Sequence, residues 1–249
     1  MKLKKTLITT LVAALTFTPL AFAKTTQEKL ADINKILEAE GNADIVDSLH
    51  ESLALYVEQQ HAFDDTLKVN HDYIFNNPDL PWFGAEKPIL TIAVLTDLSC
   101  PWCKKLDPVM RKIVEQHPDE IRVVNLYVPL KERGMGSNSA TFALNVWQGD
   151  KEHFEDIELT MMGKPGIHNP RSIMKVAQAK DAVKYISTTD KATELVKKNT
   201  ELFSKLGARG TPAILLDGSL IPGYMPYERM YPAVIRALEK KRAELANKK

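Results

Sequence analysis

Cysteine is scarce in this chain, since 249 residues contain only two of them, Cys100 and Cys103. Both lie in one tetrapeptide, so no cysteine remains for a second bridge or for a four-cysteine zinc site. Hydrophobic residues make up 44% of the sequence and charged residues 26%, which is the balance of an ordinary globular protein. The composition therefore excludes a disulfide-held scaffold and an intrinsically disordered chain.

An excess of either charge is also missing, because 33 basic and 32 acidic residues leave a formal net charge of +1. So small a charge argues against a surface that binds nucleic acid, and we predict no nucleic-acid partner. The histidines and the acidic residues from Glu152 to Glu158 form no metal-ligand pattern, so we predict no metal site and expect solvated side chains. The six histidines are His50, His61, His71, His117, His153 and His168.

Long hydrophobic runs are absent except near the N-terminus. Three lysines precede an apolar stretch over residues 7–20, and residues 21–23 (Ala-Phe-Ala) have the small-residue pattern of a cleavage site. No other stretch approaches the ~20 apolar residues of a transmembrane helix. We therefore predict that residues 1–23 are a cleavable signal peptide and that the mature protein is exported.

Export changes the meaning of the cysteine pair. Disulfides persist outside the cytosol, yet a bridge across Cys-x-x-Cys closes too small a ring to constrain the unfolded chain strongly. We therefore expect the two cysteines to take part in a reaction rather than to stabilise the fold.

Residues 24–77 are predicted to form a helical arm. Apolar residues recur in it at helical spacing, which from Leu53 onward is that of a heptad repeat interrupted by the polar Gln60. Two interpretations remain open: the helix packs on its own domain, or it joins other copies in a homo-oligomer. Residues 78–88 contain three prolines and a glycine and are predicted to be a linker. The apolar positions are Ile45, Leu49, Leu53, Tyr56, Phe63 and Leu67.

Residues 89–249 alternate between strand and helix patterns. Residues 89–95 are a continuous apolar run, typical of a strand that is buried on both faces. An amphipathic helix over residues 104–117 and a second strand over 121–128 follow, which predicts a βαβ unit of an α/β fold. The later elements are a mostly helical region over 137–206, a β-hairpin over 213–221 that turns at Asp217-Gly218, and a closing helix over 226–246.

Cys100 lies where the first of these strands ends and the helix begins. Pro101 suits the first helical turn, where its missing N–H costs no hydrogen bond. The Cys100 thiol then faces free N–H groups and the positive end of the helix dipole, which favour the thiolate. Cys103, one turn further on, can attack a mixed disulfide formed at Cys100. We predict Cys100 as the nucleophile, Cys103 as the resolving thiol, and Pro101 and Trp102 as substrate contacts.

Thr211 and Pro212 lie just before the late strand, at a position where proline is tolerated. In a chain with a Cys-x-x-Cys motif, we predict that the bond between them is cis and lies beside the cysteine pair. Its backbone groups could there bind an extended substrate. An ordinary trans proline in a turn is the alternative.

Two parts of the sequence resemble a known family. Residues 96–106 (TDLSCPWCKKL) resemble the active-site segment of the DsbC/DsbG group of periplasmic protein disulfide isomerases. Residues 207–213 (GARGTPA) and 220–224 (LIPGY) are similar to the cis-proline loop and hairpin of that group. The resemblance implies a thioredoxin fold with a helical insertion over about residues 131–206. It also implies Cys100 and Cys103 as the redox pair and Thr211-Pro212 as substrate-binding.

The resemblance also implies an activity and partners. It implies a periplasmic thiol–disulfide oxidoreductase that acts as an isomerase on unfolded or misoxidised secreted proteins. Such an enzyme exchanges electrons with a membrane redox partner and needs no cofactor beyond its own redox-active Cys100–Cys103 disulfide.

Three alternatives remain beside the isomerase. The Pro-Trp dipeptide is nearer to DsbG and DsbA than to DsbC, so a DsbA-like oxidase is one of them. The helical arm is more like that of the suppressor-of-copper-sensitivity C proteins, some of which oligomerise through it. A copper-tolerance protein that binds copper(I) with its two thiolates is therefore the second. The third is an interaction protein whose Cys-x-x-Cys is only structural.

Overall fold

The computed structural model describes residues 24–39 and 45–247. The predicted signal peptide, residues 1–23, lies outside the described residues. The chain divides into two units, Met1–Tyr56 and Val57–Lys249, and the second contains the sheet and the cysteine pair. Across the described ranges, no helix combines the length and the apolar character that a membrane crossing requires.

Helices and strands alternate much as the apolar patterns predict. In chain order they are α1 (Thr26–Leu37), α2 (Val46–Val69), α3 (His71–Asn76), β1 (Trp82–Gly84), β2 (Leu90–Thr96), α4 (Pro101–Gln116), β3 (Ile121–Tyr127), α5 (Ser139–Gly149), α6 (Lys151–Gly163), α7 (Pro170–Ala179), α8 (Asp190–Lys205), β4 (Ala213–Leu216), β5 (Ser219–Pro222) and α9 (Tyr227–Ala246).

The strands form one mixed sheet in the order β1-β3-β2-β4-β5. β2 and β3 are parallel, as the predicted βαβ unit requires, whereas β1 pairs antiparallel with β3 and β4 pairs antiparallel with β2. β4 and β5 form the predicted hairpin, in which Asp217 and Gly218 have φ values of 46° and 76°. Both angles are left-handed, which is the geometry of the tight turn that an Asp-Gly pair favours.

The central strand β2 is buried on both faces, which confirms the interpretation of its apolar run. Ile92 and Val94 pack on one face with residues of α4 and α9. Ala93 and Leu95 pack on the other face with α3 and the helices that follow β3. The sheet is therefore covered by helices on both sides, with α4 held firmly against it.

Helices α5–α8 lie between β3 and β4 and form the predicted helical insertion. Their first turns are capped by Asn138, Asp150, Asn169 and Thr189, whose side chains accept backbone N–H groups. These caps satisfy donors that the start of a helix leaves free. Apolar residues of the insertion and of the sheet share one hydrophobic core. The insertion is therefore packed into the same unit as the sheet and does not form a separate domain.

The prediction of a linker over residues 78–88 is wrong at its centre. Trp82–Gly84 is strand β1, which pairs with β3 at the edge of the sheet, and Leu80 just before it is fully buried. Prolines prevent a helix but are compatible with a short edge strand, and the apolar residues between them have a sheet to cover.

The described part of the predicted helical arm, residues 24–77, is largely helical, in α1, α2 and α3, and its last part packs on the core. Ile74 is fully buried in the core, and Phe63 and Leu67 pack partly buried against it. The second half of the apolar stripe therefore packs on its own domain, which was one of the two open interpretations. Among the described residues of the first unit, most of the large apolar side chains are exposed, including Leu30, Ile33, Ile45, Val46, Leu49, Leu53 and Leu55.

Candidate active site

The cysteine pair lies at the start of α4, as predicted. Cys100 is the N-cap residue and Pro101 occupies the first turn, and no side chain caps this end of the helix. The Cys100 backbone N–H donates to the carbonyl oxygen of Asp97 (2.9 Å), and the Cys100 carbonyl accepts from the N–H of Lys104 (3.1 Å). With no competing cap, the first-turn N–H groups are directed at the Cys100 sulfur.

The two thiols differ in their acidity. A hydrogen bond from Cys103, helped by N–H groups of the first turn and by the Thr211 side chain, lowers the pKa of Cys100 to about 5. Burial, followed by the interaction with Cys100, raises the pKa of the Cys103 thiol. At neutral pH the reduced protein therefore holds a thiolate at Cys100 and a protonated thiol at Cys103.

Cys103 is buried on the sheet side of α4, with 1% of its surface exposed. Its sulfur accepts the backbone N–H of Asp97 (3.4 Å). Beside it is a cavity of about 10 Å³ whose polar lining includes Thr96, Asp107 and Asn125. A cavity of that size has room for about one water molecule.

A buried charge cluster lies next to this cavity. The guanidinium of Arg111 bonds Asp107 (3.0 Å) on its own helix and Glu158 (2.7 Å) on α6. Glu158 also accepts the side-chain amide of Asn125 (2.8 Å) and the hydroxyl of Tyr127. The expectation that the acidic residues of this segment are solvated is wrong for Glu158, because one face of α6 turns toward α4 and the sheet. Burial raises the pKa of Asp107 and of Glu158.

The predicted cis bond is present between Thr211 and Pro212. The Cys100 sulfur lies 3.2 Å from the carbonyl oxygen of Thr211, so the two motifs meet although they are 111 positions apart in the chain. The carbonyl of Pro212 accepts from the N–H of Gly223 (2.8 Å), which holds the loop against the hairpin.

Trp102 lies on the surface of the site, with 52% of its side chain exposed. Its ring stacks on Tyr224 with centroids 5.8 Å apart, and the Lys105 ammonium lies 4.6 Å from the ring centroid. Pro101 beside it is exposed. Both predicted substrate contacts are therefore open to a client, and Tyr224 supports one of them.

Sequence reasoning predicted a loop over residues 163–170 but missed that this loop reaches the active site. Its residues 164–168 are here called the insertion loop. Lys104 donates to the carbonyls of Lys164 and Gly166 (2.9 Å to the latter), and the N–H of His168 donates to Ser99 Oγ (2.8 Å). Ser99 and Lys104 directly flank the Cys-Pro-Trp-Cys tetrapeptide, but nothing in the local pattern links them to residues more than 60 positions away.

His168 was expected on the surface and is instead 1% exposed. Its Nε2 bonds the carbonyl of Met161 (3.0 Å) and its Nδ1 lies 3.4 Å from Ser172 Oγ, so the ring joins α6 to α7. Burial lowers the pKa of His168, which keeps the ring neutral. His168 therefore fixes the end of the insertion loop to α6 and α7.

Buried acids also surround the start of α4. Asp97 accepts the N–H groups of Ser99 (2.8 Å) and Lys131 (3.0 Å). Glu132 accepts Ser99 Oγ and the N–H of Ser139 (2.7 Å). In the described part of the chain, no group of three or more histidine, cysteine or acidic side chains is arranged to hold a metal ion.

The chain is similar in sequence and fold to known proteins. The chain matches the thioredoxin-like domain family over residues 83–237. A linker-deletion mutant of ScsC from Proteus mirabilis is 28% identical with a TM-score of 0.70, and the match covers 89% of this chain and 99% of that one. A periplasmic thioredoxin-like protein from Salmonella enterica serovar Typhimurium is 33% identical with a TM-score of 0.63, covering 69% and 97%. Disulfide bond formation protein D of Bacillus subtilis is 22% identical over 186 residues, covering 69% and 84%.

These matches support the wider Dsb group of the thioredoxin superfamily and do not single out the DsbC/DsbG isomerases. The fold, the activated cysteine at a helix N-terminus and the neighbouring cis-proline loop agree with them. The chain therefore belongs to the thioredoxin-like family, as a Dsb-type thiol–disulfide oxidoreductase.

Proposed function

We propose that this protein is a periplasmic protein disulfide isomerase that acts on unfolded or misoxidised secreted proteins. The observation that carries the proposal is the asymmetry of the two sulfurs. Both cysteines are buried, but Cys100 begins α4 and meets the cis-proline loop, whereas Cys103 lies one turn further on, beside a small cavity. An isomerase needs a nucleophile that attacks readily and a resolving thiol that acts slowly, and this arrangement supplies both.

Isomerisation begins when the Cys100 thiolate attacks one sulfur of a wrong client disulfide. A bond forms between Cys100 and that sulfur, and the second client sulfur leaves as a thiolate. Client thiolates then attack other client disulfides and finally the mixed disulfide, which releases Cys100 as a thiolate with no net transfer of electrons. Because the raised pKa keeps Cys103 protonated, the client has time to rearrange.

Cys103 resolves a mixed disulfide that does not rearrange. Its thiol gives its proton to the departing client sulfur and bonds to the Cys100 sulfur. The client thiol is released, and the protein holds a Cys100–Cys103 disulfide after passing two electrons to the client. We propose that a membrane redox partner returns two electrons and two protons to this disulfide, so that no other cofactor is needed.

A DsbA-like oxidase is the second candidate, and the low pKa of Cys100 favours it. A stabilised thiolate in the reduced protein makes the disulfide more oxidising. In that direction, however, a client thiolate attacks Cys100 and Cys103 must leave. A thiol of raised pKa is a poor leaving group, which is why we place the isomerase first.

Copper(I) binding is supported less by the site. Two thiolates suit this ion, but the raised pKa of Cys103 opposes the second thiolate. We therefore keep it as an alternative that rests on the similarity to ScsC alone.

Scrambled ribonuclease distinguishes isomerase from oxidase. The reduced full-length mature protein is expected to restore ribonuclease activity, because only an exchange of wrong for right disulfides recovers it. The same protein in its disulfide form is also given a reduced two-cysteine peptide, and peptide oxidation is followed by mass spectrometry. Rapid peptide oxidation without recovery of scrambled ribonuclease would make the protein an oxidase instead.

We also propose that the first unit makes the protein a homo-oligomer. Its exposed apolar positions include Leu49 and Leu53 on α2, and no residue of the described part of the unit buries them. A helix with an uncovered apolar stripe is typical of a coiled-coil interface, and a second copy supplies the same stripe. An oligomer would place several active sites around one client.

Replacing both Leu49 and Leu53 by aspartate is expected to lower the mass of the particle to that of one chain. Aspartates on neighbouring copies would repel one another across the interface. On a monomer the same side chains are solvated, so the stability of the single chain should change little. Light scattering on full-length mature proteins measures this. Leu245→Asp on α9 is the matched control, since Leu245 is 48% exposed, and it should leave the mass unchanged. A wild-type protein that is already a monomer would refute the oligomer.

A further inference from the structure

The insertion loop is held rigidly where it meets the active site. Besides the anchors on Ser99 and Lys104, its own Lys164 ammonium donates to the carbonyls of Pro165 (2.9 Å) and Ile167 (3.0 Å). His168 at its end is buried and hydrogen-bonded. The backbone therefore has few alternative conformations, although it connects two helices on the surface.

Ile167 is the one large apolar side chain of this loop, and 53% of it is exposed. A single exposed isoleucine is ordinary on a protein surface. Ile167, however, directly precedes the residue that bonds Ser99, which in turn precedes Cys100. Trp102, two residues after Cys100, is exposed to a similar extent. Two exposed apolar side chains, Ile167 and Trp102, therefore lie on segments that adjoin Cys100, although they come from separate parts of the chain.

The charges around the nucleophile have one sign. Four segments adjoin Cys100: residues 99–105, the insertion loop, residues 209–212 and residues 222–225. Every charged side chain in them is basic, namely Lys104, Lys105, Lys164 and Arg209. The acids nearby, Asp97 and Glu132, are buried and already accept hydrogen bonds. These four basic side chains would repel a client that carries basic residues beside its cysteine.

We propose that the insertion loop is a wall of the client-binding surface and that Ile167 selects clients with an apolar side chain next to the reacting cysteine. The partner is an extended polypeptide segment that carries an apolar residue beside its cysteine and no lysine or arginine there. The inference rests on the proposed function, in that a client disulfide reacts at Cys100.

Because the loop is anchored rigidly, it can discriminate between clients with different side chains next to the cysteine. Contact between a client side chain and Ile167 removes apolar surface from water, and a loop that is already ordered loses little conformational entropy when it binds. The hydrogen bonds to Ser99 and Lys104 also hold the loop at a constant distance from Cys100. Ile167 acts through binding and takes no part in the exchange of sulfur bonds.

The test uses reduced full-length protein and three symmetric peptide disulfides that carry leucine, serine or lysine next to the cysteine. Release of peptide thiol measures the second-order rate constant, and 2-hydroxyethyl disulfide serves as a substrate without side chains. For the wild type we expect about a tenfold preference for leucine over serine, and the slowest reaction with lysine. Ile167→Ser should reduce the leucine preference, with each peptide rate expressed relative to the 2-hydroxyethyl disulfide rate of the same variant, to about twofold or less.

Two further variants make the outcome specific. Ile167→Val keeps an apolar side chain and should retain most of the preference. Val183→Ser is the matched control, since Val183 is 47% exposed in another part of the insertion, and it should behave as wild type. A leucine preference that persists in Ile167→Ser overturns the inference alone. A wild type that reacts with none of the disulfides overturns the proposed function and the inference with it.

Discussion

Replacing Cys100 by serine is expected to lower the rate of thiol–disulfide exchange by roughly a thousandfold or more. The thiolate is the reacting species, and the low pKa of Cys100 makes it abundant at neutral pH. Cys103 cannot take its place, because its raised pKa keeps it a protonated thiol at neutral pH. The rate with scrambled ribonuclease and with a small disulfide measures the loss.

Cys103→Ser is the matched control for this variant. It removes a sulfur of the same pair and should still form mixed disulfides with clients, which then accumulate and can be identified by mass spectrometry. The pH dependence adds a second criterion in the wild-type dithiol. Alkylation of Cys100 should rise through pH 5 and level off by pH 7, since its pKa is about 5 and the thiol is protonated below it. A midpoint near pH 9, or exchange that survives Cys100→Ser, would contradict the assignment of the nucleophile.

Replacing Glu158 by alanine is expected to cost about 3–5 kcal/mol of the free energy of unfolding, the range for breaking a buried ion pair. The change leaves the amide of Asn125 and the hydroxyl of Tyr127 without their acceptor in the interior. It also removes one of the two buried partners of Arg111, whose guanidinium keeps the buried Asp107 and the exposed Glu155. Denaturant unfolding followed by circular dichroism measures the loss.

Glu155→Ala provides the comparison for this prediction, because Glu155 pairs with the same arginine but has 66% of its side chain exposed, against 2% for Glu158. An exposed ion pair contributes ~1 kcal/mol or less, so Glu155→Ala should be nearly neutral. Equal losses in the two variants would show that the buried cluster does not stabilise the interface between α4 and α6.

Features that depend on near neighbours in the chain were predictable. The alternation of strand and helix follows from apolar periodicity, and the fold class from their order. The activation of Cys100 follows from its place at a helix start, one turn before Cys103. The meeting of Cys100 with Thr211 was expected from the Thr-Pro pair in a chain with a Cys-x-x-Cys motif, and from the resemblance to a family, since no local pattern joins two residues that are 111 positions apart.

Features that depend on distant contacts were misjudged. His168 and Glu158 are polar residues in polar stretches, so composition indicated solvent, whereas each is buried by hydrogen bonds to another element. Residues 78–88 look like a linker because prolines exclude a helix, yet β3 offers an open edge that Trp82–Gly84 covers. In each case the partner that decides the environment lies more than 30 positions away.

By itself, the sequence determined the chemistry of this protein: one cysteine pair at a strand-to-helix junction, in a thioredoxin-like order of elements. These properties are set by bonded geometry, helix periodicity and the helix dipole, which act over a few residues. Only the tertiary structure decided which acids are buried beneath α4 and that the insertion loop meets the nucleophile. It did so because packing brings distant segments together, and burial and hydrogen bonding belong to the assembled core rather than to any one segment.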